Sequence, residues 1–117
     1  MSTNYYLRVT IKGVTLGDLH LGKRTASKML FRAVRDSDGQ LVLGSVRQLN
    51  ELLDEIRTAE HFAIVDEYGK VHEVDEFREL IQISKRAEKP TEHLLGISQF
   101  QQWVDDDNYI WCDYEFS

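Results

Sequence analysis

The sequence has a single cysteine, Cys112, a single proline, Pro90, and no long apolar run. One cysteine excludes an internal disulfide framework, and the absence of a CxxC pair excludes a cysteine-based zinc site. A helix that crosses a bilayer needs about 20 apolar residues, so we expect no membrane segment. The first residues also lack the basic and apolar regions of a signal peptide. These absences predict a soluble protein of the cytoplasm.

The sequence also lacks the common catalytic motifs. It contains no GxSxG, HExxH, P-loop, GxGxxG or EF-hand loop. Cys112 lies on the predicted inward face of the last strand, where a thiol is inert. The four histidines, His20, His61, His72 and His93, have no spacing that forces metal ligands to converge. We therefore expect no catalytic residues, no cofactor and no metal; a small metal-dependent enzyme using His20 is the weakest of three alternatives.

What is present is typical of one globular domain. The chain has 117 residues, of which 42% are apolar and 29% charged, enough to bury a single core. No repeat, linker or low-complexity segment divides it. The sequence therefore predicts one domain over residues 1–117.

Charge is distributed unevenly along the chain. Residues 1–35 contain seven basic residues against one acid, Asp18, whereas the remaining 82 residues carry a net charge of -12 within a total of -6. Such an asymmetry bears on association with charged partners rather than on the fold.

Apolar periodicity predicts the secondary structure. Residues 4–12 alternate as a half-buried strand, and residues 18–22 form a short strand with Leu19 and Leu21 inward. Residues 28–34 form a third strand. Ser45 and Gln48 fit a capping box that opens a helix to about Thr58.

A second half of similar design follows. Residues 61–65 are apolar on both faces, as in a central strand. A second helix is predicted from Asp75 to near Arg86, and residues 108–116 alternate as a closing strand. The sum is an α+β fold, with an antiparallel sheet of about five to six strands and two helices on one face.

Two surface features are candidates for binding at exposed positions. In the corner at residues 66–69, the spacing of Asp66 and Gly69 favours a type I turn, which explains every residue except Glu67. Tyr68 is expected to pack across the hairpin. Because exposed loop tips on rigid scaffolds often carry recognition, Glu67 and Tyr68 form a candidate loop-tip site.

A basic strip is the second candidate. Lys23, Arg24, Lys28 and Arg32 lie close together in the sequence, and Lys28 and Arg32 share a strand face. Such a strip could contact phosphates. The alternative is a solvated edge whose charges oppose aggregation.

The acidic, aromatic end of the chain is the strongest candidate for partner binding. Tyr109 and Trp111 alternate with acids on the predicted outward face, and Tyr and Trp are enriched at binding hot spots. Acids beside them would attract a partner with a basic surface. The alternative is that both sheet faces are covered and Trp111 is buried. The proposed partner-binding residues are Asp105, Asp106, Asp107, Tyr109, Trp111, Asp113 and Glu115.

Four short blocks resemble a family of small uncharacterised proteins of tailed bacteriophages and prophages. They are NYYL at residues 4–7, LHLGK at 19–23, DEYG at 66–69 and EFS at 115–117. Many family members carry cysteine pairs between the first two blocks; this chain has none there. The resemblance implies a phage origin and no established activity.

Small accessory phage proteins commonly bind and inhibit a host component. We therefore expect a non-catalytic protein that acts in the cytoplasm of the infected host and blocks a host protein, for example a nucleic-acid-handling defence enzyme. The alternative is a nucleic-acid-binding module that uses the basic N-terminal half.

Overall fold

The computed structural model describes residues 2–87 and 102–113. In these ranges the elements, in chain order, are β1 (Ser2–Ile11), β2 (Val14–Thr25), β3 (Lys28–Arg32), β4 (Val34–Arg35), β5 (Leu41–Leu43), α1 (Val46–Ile56), β6 (Phe62–Asp66), β7 (Val71–His72), α2 (Val74–Ile83), β8 (Gln102–Val104) and β9 (Ile110–Cys112). Seven strands form one sheet in the order β7-β6-β1-β2-β3-β9-β8, and β4 pairs with β5 separately.

The predicted α+β class is confirmed, but the predicted sheet of five to six antiparallel strands is wrong. The sheet is mixed, because β9 runs parallel to β3 while the other neighbouring pairs are antiparallel. Apolar alternation locates a strand without giving its direction. Moreover, β7 has two residues and β8 three, which is too short for an alternation to be read.

Helix α1 begins as its sequence predicts. The Ser45 hydroxyl accepts a hydrogen bond from the Gln48 amide at 3.2 Å, and the Gln48 side chain accepts one from the Gly44 amide at 2.8 Å. The reciprocal partner is thus Gly44 rather than Ser45. Both helices end slightly earlier than predicted, α1 at Ile56 and α2 at Ile83.

Both helices pack against one face of the large sheet, which we call the helix face. The main core joins residues of α1 and α2 to residues of the central strands, with Phe31 and Trp111 stacked at 5.0 Å between ring centroids. Its largest fully buried members are Trp111, Phe31, Phe77, Met29, Leu49 and Leu53. Burial of these side chains is the main favourable term for folding.

A smaller cluster lies on the opposite face of the sheet. Leu30, Ile110 and Cys112 are buried there and contact Ala87 and Val104. Strands β3 and β9 are therefore buried on both faces. This is why Leu30, which alternates out of phase with Met29 and Phe31, is nonetheless apolar.

A bulge in β2 controls which residues reach the core. Tyr5 pairs with Gly22 but Tyr6 pairs with His20, so that Leu21 is the extra residue. A bulge of this kind turns two successive residues of one strand toward the same side. Leu21 is accordingly buried in the main core, whereas Leu19 is 37% exposed. Leu19 lies on the predicted inward face, since it pairs with Leu7 of the main core, but it is not buried there because β2 has passed the end of β3.

We expect Gly22→Ala to destabilise the fold by about 1–3 kcal/mol, the usual cost of overpacking. A Cβ atom at Gly22 would lie 2.6 Å from the Leu30 carbonyl oxygen, so β3 would have to move. Gly17→Ala in the same strand is the matched control, because its Cβ would meet nothing within 4 Å. Urea denaturation measures both, and equal free energies of unfolding for the two variants would contradict the packing argument.

Candidate functional site

The Asp105 carboxylate joins three parts of the structure. One oxygen, Oδ2, accepts hydrogen bonds from the Val46 amide at the start of α1 and from the Trp111 indole, both at 2.8 Å. The other, Oδ1, accepts from the Asp107 and Tyr109 amides in the turn between β8 and β9, at 2.9 and 3.0 Å. Its position at a helix N-terminus also suits its charge. Asp105 is therefore a structural residue.

The aromatic residues of the acidic segment are buried. Trp111 is fully buried in the main core and Tyr109 is 3% exposed. The Tyr109 hydroxyl donates to the Ile81 carbonyl at 3.2 Å, the Arg86 guanidinium lies 4.1 Å from its ring centroid, and burial raises the pKa of the phenol. The expected outward position of both residues is wrong, because helices cover the face of β9 on which they lie.

The acids of this segment differ in their surroundings. Asp113 forms an ion pair with Arg35 at 2.9 Å. Asp106 and Asp107 are exposed, and the Asp107 carbonyl accepts a hydrogen bond from Arg86 at 3.2 Å. Glu115 lies outside the described residues. Within residues 105–113 the segment therefore exposes no aromatic side chain, and its use in partner binding stays a prediction.

The corner at residues 66–69 is built around Asp66. Its Oδ1 accepts from the Tyr68 and Lys70 amides, and its Oδ2 lies 2.9 Å from His72 Nε2. Gly69 takes the positive φ of 86° that the turn requires. Burial opposes ionisation of the Asp66 carboxyl, but the hydrogen bonds from His72 and the two amides outweigh it and lower its pKa.

The two loop-tip candidates have different roles. Glu67 accepts a hydrogen bond from the Asn4 amide at 2.8 Å, and its own amide donates to the Asn4 carbonyl, so it extends the pairing of β6 with β1. Tyr68 is 66% exposed and does not pack across the hairpin as predicted. Only Tyr68 remains a loop-tip candidate.

The basic strip is divided between the two faces of the sheet. Arg24 lies on the helix face, where its Nε donates to the Ser84 hydroxyl at 3.2 Å. Lys23, Lys28 and Arg32 share the opposite face, because Lys23 pairs with Leu30 and the other two alternate with it in β3. All four side chains are half-buried.

Tyr6 and His20 occupy that opposite face beside Lys23. Their rings stack at 5.1 Å between centroids, and His20 Nε2 lies 2.9 Å from the Asn4 side-chain oxygen. In the described ranges, no three histidine, cysteine or acidic side chains converge as a metal site would require. His93 lies outside those ranges.

A group of exposed apolar side chains in the described part of the chain was not predicted from the sequence. Strands β1 and β2 form a long hairpin, closed by Lys12 and Gly13 with positive φ, the usual form of a two-residue turn. Beyond the last residue of β1 that pairs with β6, Val9, its end projects from the sheet. The hairpin patch consists of Ile11 (39% exposed), Val14 (59%), Leu16 (62%), Leu19 (37%) and Phe62 (38%).

Strand register places the hairpin patch on one face. Phe62 pairs with Val9, Ile11 pairs with Val14, and Leu19 pairs with Leu7. Leu7, Val9 and Ile11 alternate on the helix face of β1, so the patch continues the core surface past the helices. Leu16 is the extra residue of a second bulge, opposite Val9. Because a bulge turns two successive residues toward one side, Leu16 lies with Gly17 on the helix face.

A cavity adjoins the hairpin patch. It has a volume of about 280 Å³ and is bordered by the end of α1, by β6 and β7, and by the start of α2. Phe62 belongs to both the cavity wall and the patch, and Ile56, Ile64 and Val74 provide further apolar lining. The patch is therefore continuous with a recess that could accept a side chain.

Comparisons with known proteins give no family assignment. No protein-family model matches the chain, and neither a curated protein nor a solved structure matches it. The resemblance to phage proteins therefore stays a prediction. Neither described helix has the length and apolar character needed to cross a bilayer.

We expect Asp105→Ala to lower the free energy of unfolding by roughly 2–4 kcal/mol, because buried donors at Trp111 and Val46 lose their acceptor and each such loss costs about 1–3 kcal/mol. Asp106→Ala is the control, since Asp106 is exposed and surface changes usually stay within about 0.5 kcal/mol. Urea denaturation followed by tryptophan fluorescence measures both. Equal stabilities would show that the Asp105 contacts contribute nothing.

The stability advantage of the natural chain over Asp66→Asn should depend on pH. Because folding lowers the pKa of Asp66, its ionised form stabilises the folded state above the unfolded pKa of about 3.9. This contribution is lost as pH falls through the lower folded pKa. The difference in free energy of unfolding should therefore shrink below about pH 4. A difference that is constant with pH would contradict the assignment.

Proposed function

We propose that this chain is a non-catalytic accessory protein of phage origin that binds a host protein and blocks it. The observation that supports the proposal is the hairpin patch, which leaves five large apolar side chains at least 37% exposed on one face. Contiguous exposed apolar surface on a soluble protein commonly marks a binding site. The resemblance in residues 4–7, 19–23 and 66–69 supports the phage origin.

Charge indicates the character of the partner. Residues 2–25, which form the hairpin of β1 and β2, contain four basic residues and one acid, a net charge of +3, whereas α1 and α2 each carry -2. The hairpin is thus the basic part of an acidic protein. A partner surface that is apolar and rimmed by acids fits it, because complementary charge speeds association and excludes other partners.

This partner differs from the one that the acidic segment predicted. A host protein with a basic surface would need Tyr109 and Trp111 as anchors, and both are buried. A nucleic-acid-handling enzyme also presents a basic surface to its substrate, which the basic hairpin would repel. The hairpin patch therefore favours a different face of such an enzyme or a different host protein.

Nucleic-acid binding is the second candidate. The Tyr6–His20 stack lies on the same face as Lys23, Lys28 and Arg32, and aromatic side chains beside basic ones are typical of sheets that bind single strands. However, the Arg32 guanidinium donates to the Ala33 carbonyl at 2.7 Å, and Lys23 and Lys28 have contacts within the chain. Phosphate binding would compete with these contacts, so this candidate ranks second.

Affinity capture from lysates of candidate bacterial hosts tests the proposal. We expect the natural chain to retain a host protein and Leu16→Glu to reduce its recovery about tenfold or more, since a buried unpaired carboxylate costs well over 1.4 kcal/mol. Ile83→Glu is the matched control, because Ile83 is equally exposed, at 65%, but lies on α2.

Equal recovery with all three chains would contradict a role for the hairpin patch. Recovery of nucleic acid that falls steeply with salt and is lost with Lys23→Glu, but not with Leu16→Glu, would favour the second candidate instead.

A further inference from the structure

The outer edge of β2 extends beyond its neighbour. Strand β2 has 12 residues, but β3 pairs only with Gly22–Thr25. On its other side β2 pairs with β1 throughout. In the part of the chain that the structure describes, residues 14–19 therefore have no strand on their outer side. The main-chain groups that point outward there can bond an added strand.

This edge has few of the features that usually prevent strand addition. Soluble proteins protect edges with lysine, proline, inward charges or bulges. Residues 14–19 contain neither lysine nor proline, and their one charge, Asp18, is held by Arg8 in an ion pair at 2.9 Å. The bulge at Leu16 leaves residues 17–19 in regular register and turns Leu16 onto the hairpin patch.

At residues 14–19 the unpaired main-chain groups of the edge therefore lie beside exposed apolar side chains. A strand added to β2 would place every second side chain over Leu16 and Leu19, since side chains alternate between the two faces of a sheet. The residues between them would face the side on which Asp18 and Arg8 lie. At this end of the hairpin, residues 8–19 contain Arg8 and Lys12 against the single acid Asp18, a net charge of +1, so acids in the added strand are favoured over bases.

We propose that the partner supplies an extended segment, with apolar and acidic residues in alternation, that adds to residues 14–19 as a further antiparallel or parallel strand. This inference rests on the proposed function and specifies its mode of binding. Strand addition combines main-chain hydrogen bonds, which give affinity, with alternate side-chain contacts, which give selectivity. The segment belongs to another protein rather than to a second copy of this chain, whose residues 14–19 contain a single acid.

Selection from a displayed library of random peptides tests the mode of binding. The full chain serves as bait, and Leu16→Glu and Ile83→Glu serve as matched baits. We expect enriched peptides in which apolar residues alternate with Asp or Glu, retained by Ile83→Glu and lost with Leu16→Glu. Two versions of an enriched peptide are then N-methylated, one at the odd-numbered amides and one at the even-numbered amides. Because only one of these two sets points toward β2, only one version should bind about tenfold more weakly.

Several results would overturn strand addition. One is that no peptide is enriched, and another is that the enriched peptides have apolar residues at helical spacing or basic residues. A third is that the two N-methylated versions bind equally. Concentration-dependent dimers that Leu16→Glu abolishes would show that a second copy occupies the edge.

Failure of this inference is distinguishable from failure of the proposed function. If host-protein capture depends on Leu16 but no peptide is selected, the result supports the hairpin patch as the docking surface and contradicts strand addition. If alternating peptides bind but no host protein is captured, the result supports strand addition at residues 14–19 and contradicts the proposed function.

Discussion

The carboxylate of Asp105 is the interaction on which the arrangement of the C-terminal strands depends. It closes the turn between β8 and β9, receives the first amide of α1 and accepts the indole proton of Trp111. A side chain as large as Trp can be fully buried only if its N–H finds an acceptor. Asp105 provides that acceptor and, with the same oxygen, fixes the start of the helix above it. Strand β9 can then lie beside β3 with both faces covered.

This constraint explains why Tyr109 and Trp111 are buried while the end of the hairpin is exposed. Trp111 is buried in the main core with residues of β3 and of both helices, and β3 and β9 are covered on both faces. The hairpin of β1 and β2 extends away from that core, past the ends of β3 and of β6. Its apolar side chains Val14 and Leu16 lie on the face that α1 and α2 cover elsewhere, but neither of these two helices covers them. The exposed patch is therefore a consequence of strand lengths that do not match.

Local sequence predicted the features that depend on local chemistry. The corner at Asp66 and Gly69 and the cap at Ser45 were predicted because each follows from a few neighbouring residues. The direction of β9, the burial of Trp111 and the exposure of Leu19 depend on which strand lies alongside, and alternation does not report that. The one sequence signal for the hairpin patch is that Ile11, Val14 and Leu16 are apolar although they lie next to a predicted turn. The two bulges in β2 have no distinct signal, although Gly17 and Gly22 each follow a bulged leucine.

Amide hydrogen exchange along residues 14–19 tests the central claim most directly. The claim is that this edge is uncovered in the isolated chain and becomes covered by the partner. In the isolated protein, amides that point away from β1 should exchange quickly while those that bond β1 are protected. With the captured host protein bound, the first set should become protected as well. Uniform protection in the isolated, dilute protein, or no change on binding, would contradict the account.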